Sequence, residues 1–284
     1  MSVLTIYEAT PNRVRSLARL ALYLGPSSRD VLREHLMPTK DDAAQFGQLL
    51  RETARLGFLE EREGKFSLGP SIDKADIDDD KRFLNHVEAA LLGPSDGSGE
   101  NYPFRFALSW LLAQSSGAVI PWSSDQHLSM LEQMEGKDLY DVGNEGRFAM
   151  LCYWARFLGF AAGLDIRGTK VVIPDPTEAI ARHLPGLCPE KSRISVVHFL
   201  ERMAEPLPVI EGGSARRQVE DRFREKRAAN QLSVSTSLAL WRLEERKAIK
   251  LHNLADAENW LMSTSSASTG AGTNRLVSHI ERLV

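Results

Sequence analysis

The side chains best equipped for chemistry in this 284-residue chain are cations and short hydroxyls gathered between residues 214 and 250. Ten bases stand there: Arg216, Arg217, Arg222, Arg224, Lys226, Arg227, Arg242, Arg246, Lys247 and Lys250. They meet five acids, Glu220, Asp221, Glu225, Glu244 and Glu245. A guanidinium fork binds phosphate oxygens, or the O6/N7 edge of guanine, through two parallel N–H donors. Within the same segment, Ser233-Val234-Ser235-Thr236-Ser237 opens a run with helical periodicity. Short hydroxyl residues let a helix N-terminus approach DNA, where unpaired N–H groups and the dipole favour phosphate. Ser235, Thr236, Ser237, Arg242 and Arg246 are therefore candidate DNA contacts, with Arg216, Arg217, Arg222, Arg224 and Arg227 upstream. The same residues also fit a solvated basic surface on a helical packing module.

A second set lies near the N-terminus. Lys40, Gln45, Gln48, Arg51 and Arg55 share the outer side of one helix, and Arg62 and Lys65 lie on the hairpin after it. Glutamine suits the adenine edge. Asp41 and Asp42 stand at the start of that helix and would repel phosphate, so dimerisation or docking of a partner competes with DNA here.

Other constellations are weak. His198 and Glu201 are an ordinary helical i, i+3 pair, and Asp76, Asp78, Asp79 and Asp80 read as a solvated linker, without the glycine and terminal glutamate of a calcium loop. The sequence contains no Gly-x-x-x-x-Gly-Lys-Ser/Thr, His-Glu-x-x-His or Gly-x-Ser-x-Gly pattern. No cofactor, metal or catalytic residue is expected, and the chain reads as a non-enzyme. Cys152 sits in an apolar helical run and reads as a core residue. Without paired Cys or His spacing, neither it nor Cys188 suggests zinc.

Apolar residues make up 43% of the chain and charged residues 26%, as expected of a globular protein with a substantial core. The net charge of −3 is not that of a dedicated nucleic-acid binder. Charge is nonetheless polarised: residues 73–100 carry eight acids against three bases. One face can then meet phosphate while the whole stays acidic. The opening MSVLTIYEATPNR has neither the basic nor the apolar region of a signal peptide. No apolar run is long enough to span a bilayer. A cytoplasmic location with no membrane partner is expected.

The elements that must position these groups repeat. Residues 44–70, 147–176 and 235–262 each read as an amphipathic helix running into a short β-hairpin. Leu56-Gly57-Phe58 and Leu158-Gly159-Phe160 close the first two helices, and Ala248-Ile249 takes that place in the third. A helix followed by a two-stranded wing is the second half of a winged helix-turn-helix. Upstream of the first copy, Thr10-Pro11 starts a helix that Gly25-Pro26 ends, Ser27 or Ser28 caps a second, and Thr39-Lys40-Asp41-Asp42 starts the third. Turns are expected at Glu63-Gly64 and Gly168-Thr169. Further helices are expected at 81–92, 104–114, 145–158, 178–184, 195–203, 219–230 and, as an amphipathic tail, 274–284. Residues 93–99 and 264–273 have loop composition. The third helix of the second copy, residues 148–158, is apolar nearly all round, which predicts burial and an architectural role.

The fold class expected is mainly α with short β-hairpin wings: two to three winged helix-turn-helix modules joined by helical connectors. The domains would be residues 1–70, an acidic linker and connector at 71–120, a central module at 121–212 and a C-terminal module with tail helix at 213–284.

In its lead MSVLTIYEATPNRV, its Leu-Gly-Phe and wing pattern, and its closing LVSHIERL, the chain resembles the DpdG family of 7-deazaguanine DNA-modification clusters. The resemblance implies a non-catalytic accessory subunit of a bacterial defence or DNA-modification complex. Its implied partners are double-stranded DNA and larger defence or modification-machine proteins; a second copy of the chain is the partner expected of a dimeric regulator. It carries over no catalytic residue. A protein–protein adaptor and a dimeric transcriptional regulator are the alternatives.

Overall fold

Pro11 occupies the first turn of α1 (Pro11–Leu24), where its missing N–H costs nothing; Thr10 is the N-cap residue, though its hydroxyl does not bond the helix. In a computed structural model, residues 2–37, 43–93, 102–114, 120–122, 125–136, 140–263 and 275–283 are described. The chain divides into two compact units, Met1–Asn101 and Tyr102–Val284. It is mainly helical with small antiparallel sheets. No helix among the described residues is long and apolar enough to cross a membrane.

In the first unit, α1 is followed by β1 (Ser27–Ser28), α2 (Arg29–Leu36), α3 (Ala43–Arg55), β2 (Leu59–Arg62) and β3 (Lys65–Leu68). Ser28 caps α2 by accepting from the Val31 amide. The expected start of α3 at 39–42, including Lys40, Asp41 and Asp42, lies outside the described residues. The hairpin turns at Glu63-Gly64, both at positive φ (51° and 72°), the pairing of angles whose twist matches an antiparallel ribbon. β3 is the central strand, with β1 and β2 on either side. Val14, Leu17, Leu32, Phe46, Leu49 and Phe66 form the core beneath it.

Two helices follow, α4 (Lys74–Asp78) and α5 (Asp80–Leu92). The acidic run expected as a linker is therefore helical, because its carboxylates cap helices. Asp73 and Asp76 form a reciprocal capping box and Asp79 accepts from the Arg82 amide. The Asp73 amide, and then Arg82, hold the Asp76 carboxyl below its ordinary range. Arg15 reaches Asp80 and the Ile77 carbonyl, and Arg19 reaches Asp78. Phe83 of α5 stacks on Phe58 at 4.8 Å, worth about 0.5–1.5 kcal/mol beyond its burial.

The second unit repeats the order twice. α6 (Tyr102–Leu112), β4 (Ile120–Pro121), α7 (Gln126–Gln133), α8 (Glu145–Phe157), β5 (Ala161–Ile166) and β6 (Thr169–Pro174) come first. Then come α9 (Thr177–Leu187), β7 (Arg193–Ser195), α10 (Val196–Ala204), α11 (Ser214–Glu220), α12 (Val234–Glu245), β8 (Ile249–His252), β9 (Trp260–Met262), β10 (Arg275–Val277) and β11 (His279–Arg282). The sheets run β4-β6-β5 and β7-β11-β8, with β9 and β10 forming a separate pair. Each set is thus helix, strand, helix, helix, strand, strand, with the last strand in the middle. In the third set α11 is inserted between the second and third helices, and the β9/β10 pair between the last two strands.

The end of each third helix is built identically. Gly57, Gly159 and Lys247 take the left-handed conformation at φ 84°, 77° and 58°. Their amides bond Ala54, Arg156 and Glu244, and the next amides, of Phe58, Phe160 and Ala248, bond Thr53, Ala155 and Leu243. This is the paired 5→2 and 6→1 closure that ends helices at a left-handed residue. The counterpart of the two glycines is therefore Lys247, one position before the expected Ala248-Ile249.

Three other expectations are corrected. The helix expected at 219–230 is instead α11, which stops at Glu220. The amides of Glu135 and Arg224 bond Arg222 and Gln133, so this backbone is drawn into a bridge with residues 133–135. The tail expected as a helix is two strands: β10 pairs with β9 and buries Val277, and β11 pairs with both β7 and β8 and buries Ile280. The second hairpin turns at Arg167-Gly168, not Gly168-Thr169, because both turn residues must take positive φ and Asp165 receives the Gly168 amide. The loop-like runs 94–99 and 264–273 lie outside the described residues.

Candidate nucleic-acid interface

The cations between 214 and 250 are held mainly by the protein's own acids and carbonyls. Arg216 is 1% exposed and bonds Glu220 through Nε at 2.8 Å. Arg227 pairs with Glu211 and Glu220. Arg222 donates to the Glu135 carbonyl and the Tyr140 hydroxyl, with its guanidinium 5.3 Å above the Tyr140 ring. Arg242 pairs with Asp175, and Arg246 with Glu178 at 2.6 Å, which fastens α12 to the start of α9. Arg217 and Arg224 remain exposed.

The N-terminus of α12 is closed. Ser233 caps it, and the buried Glu211 carboxylate accepts from the Ser233 amide at 2.9 Å and from its hydroxyl. Ser235, Thr236 and Ser237 are all buried. Ser235 donates to the Leu112 carbonyl at the end of α6, Thr236 bonds the Ser233 hydroxyl, and Ser237 accepts from the Ser263 amide. The backbone of 261–263 lies across this end: the Leu232 N–H donates to the Leu261 carbonyl, and the Leu261 N–H to the Asn230 carbonyl. The expectation that Ser235, Thr236, Ser237, Arg242 and Arg246 form an open, phosphate-facing helix end is corrected. Every hydroxyl is spent on an internal partner, and the two arginines on carboxylates.

The first unit differs. On α3, Phe46, Leu49, Leu50 and Thr53 face inward, while Gln45 and Arg51 are exposed and Gln48 is half-buried. The only carboxylate on α3 among the described residues, Glu52, is 2% exposed and held by Arg55, so it does not oppose phosphate on the outer face. Arg29 of α2 lies against Gly47, where an added Cβ would sit 2.7 Å from its Nη2, and donates to the Ala43 carbonyl at 2.7 Å. Arg51 donates from Nε to the Gly47 carbonyl at 3.3 Å and is exposed. Lys65 is exposed at the hairpin turn. In the first unit, Gln45, Arg51 and Lys65 are thus sequence-picked residues that the fold leaves open, with Gln48 half-buried between them; Lys40 lies outside the described residues.

The second set holds a feature missed from sequence. α8 buries Phe148, Met150, Leu151, Cys152, Trp154 and Ala155, yet Tyr153 is 43% exposed and Arg156 is exposed beside it. The expectation of a helix buried all round is corrected to a helix with one open stripe. The i, i+3 spacing of an aromatic and an arginine was the available signal. Burial pushes the Cys152 thiol far up, which suits a core residue. No group of three or more His, Cys, Asp or Glu side chains suited to a metal occurs among the described residues.

The profile of a family described as DpdG-like matches residues 1–257, and the chain belongs to that family. Such membership points to involvement in a DNA-modification system. No curated protein and no solved structure matches the chain.

Proposed function

We propose that this member of the DpdG-like family is a cytoplasmic, non-catalytic subunit that engages double-stranded DNA within a bacterial DNA-modification or defence complex. We further propose that its three repeated sets are winged-helix modules. The observation that carries the reading is the order helix, strand, helix, helix, strand, strand, repeated with the last strand central, together with an open third helix in the first set. In a winged helix the third helix enters the major groove and the wing lies against the backbone. Gln45, Gln48 and Arg51 recur every three residues on the open side of α3. They supply one fork for phosphate or guanine and two amides for adenine.

The test is a labelled duplex titrated against the full chain at increasing salt. Each phosphate contact releases counterion, so Arg51→Ala and Lys65→Ala should each reduce the log–log salt slope by about one. An unchanged slope in both would remove α3 and its wing from the interface. The non-catalytic reading is checked by incubating the purified chain with plasmid and Mg²⁺ or Mn²⁺; turnover surviving stringent purification would overturn it.

A protein–protein adaptor is the second reading. The net charge of −3 and the exposed Glu61 and Glu63 on the first hairpin favour it. It expects no DNA retention by the chain alone and retention once a larger protein of the complex is present.

A further inference from the structure

The open stripe on α8 has the parts of a base-stacking platform. Tyr153 stands edge-on against Trp122, with centroids 5.2 Å apart and planes at 73°; Trp122 is 8% exposed, so the inner ring braces the outer one. One turn on, the Arg156 guanidinium lies 5.6 Å from the Trp122 centroid. It rests on β5 at Gly163, where an added Cβ would meet Arg156 Nε at 2.6 Å and Cζ at 2.8 Å. Any side chain at 163 would displace it. The Trp122 amide donates to the Lys170 carbonyl at 2.8 Å, which brings the basic end of the hairpin, Arg167 and Lys170, alongside. Both side chains are exposed. Among the described residues, Arg156 has no carboxylate partner and the Tyr153 hydroxyl no hydrogen bond.

A half-exposed ring, held by a second ring and flanked by a fixed guanidinium with unspent donors, matches a flat π-system carrying a nearby negative charge. In duplex DNA the base faces are stacked away. In a single strand they are open and followed by phosphate, and aromatic stacking with cationic tracking of the backbone is how such strands are held. We propose that Tyr153 stacks an unpaired nucleobase of single-stranded DNA, with Arg156 taking the adjoining phosphate and Arg167 and Lys170 attracting the strand. The site uses no residue of α3, so its test is independent of the duplex reading.

The probes are a short fluorescein-labelled oligothymidylate and an abasic strand of equal length and charge, bound to the full chain near physiological salt. Tyr153→Ala should weaken oligothymidylate about tenfold or more, and Tyr153→Phe, which keeps the ring, should stay within about twofold. The abasic strand should bind more weakly and respond to Arg156→Ala but not to Tyr153→Ala. Gly163→Ala, which leaves Tyr153 and Arg156 in the sequence but evicts the guanidinium, should reproduce Arg156→Ala. Arg51→Ala should leave oligothymidylate binding unchanged, so loss of the duplex reading and loss of this one are distinguishable. Equal affinity for the two strands would overturn the proposal. So would a Tyr153→Ala chain, still folded by circular dichroism, that binds oligothymidylate as before. A protein partner lost on changing Leu164 or Ile166, with oligothymidylate binding indifferent to Tyr153, would reassign the surface to protein docking.

Discussion

Arg216 and Arg217 are neighbours in sequence and opposites in environment. Arg216 is buried, and among the described residues its Nη1 and Nη2 find no hydrogen-bond partner, while Nε holds Glu220. Arg217 is exposed. Truncating a fully buried long side chain leaves a cavity, and Arg216→Ala should cost about 2–4 kcal/mol in denaturant unfolding. Arg217→Ala should fall within about 0.5 kcal/mol. A methionine at 216 fills the volume without a desolvated charge, so Arg216→Met should recover most of the loss. If Arg216→Ala instead left stability unchanged and weakened DNA binding, the residue would belong to an interface after all.

At the scale of elements, the helix-ending glycines make a graded test. Gly57 and Gly159 both need positive φ, which a Cβ penalises by roughly 1 kcal/mol. At Gly57 the nearest obstacle is the end of the His86 side chain at 3.3 Å, which need give only a few tenths of an ångström against its bond to the Leu56 carbonyl. At Gly159 a Cβ would meet Glu178 Cβ at 2.9 Å and the Ala179 amide nitrogen at 3.1 Å, both on the first turn of α9. That turn cannot retreat, because the Ala179 amide bonds the Gly159 carbonyl and Arg182 bonds the Leu158 carbonyl at 2.7 Å. Gly57→Ala should therefore cost about 1 kcal/mol and Gly159→Ala about 2–3 kcal/mol, read as thermal midpoints of the full chain. Equal losses would show that α9 gives way.

At the scale of the molecule, stability has an acid-sensitive joint where the third set closes. Glu244 receives a two-nitrogen fork from Arg275 and the Leu251 amide, tying α12 to β8 and β10. Burial pushes its carboxyl up, but Arg275, the Leu251 amide and the nearby His252 outweigh that, so it lies below its ordinary 4.5. A folded-state value below the unfolded one contributes stability above about pH 4.5 that is lost as pH falls through the folded value. Glu244→Gln should cost about 1 kcal/mol at neutral pH, a figure kept small by partial exposure. The gap to the parent chain should narrow below about pH 4.5. A gap unchanged at acid pH would mean that Gln disturbs packing rather than charge.

Much of the element structure was legible in the sequence because it is local. The hydrophobic period of α3, α8 and α12, the cap at Ser28, the turn at Glu63-Gly64 and the helix-ending glycines each follow from a few adjacent residues acting on their own backbone. The DpdG-like family was legible for the same reason. What tertiary structure alone decided was the fate of charge and of open faces. A run of ten bases reads as a surface, yet Glu211, Asp175 and Glu178 had to arrive from outside the segment to pair with it, alongside Glu220 within it. The hydroxyls of α12 read as an open helix end until the Leu112 carbonyl and Ser263 amide closed them. The tail has helical spacing but is strand, since its partners lie at 193–195 and 249–252. Conversely, α8 reads as wholly buried, and only the packing of Trp122 and Gly163 around it leaves Tyr153 and Arg156 in solvent. Local periodicity fixed the backbone bonds of α3, α8 and α12; the strand pairing of the tail, and which side chains remain free, depend on groups distant in sequence, and that is where the surface for a partner is determined.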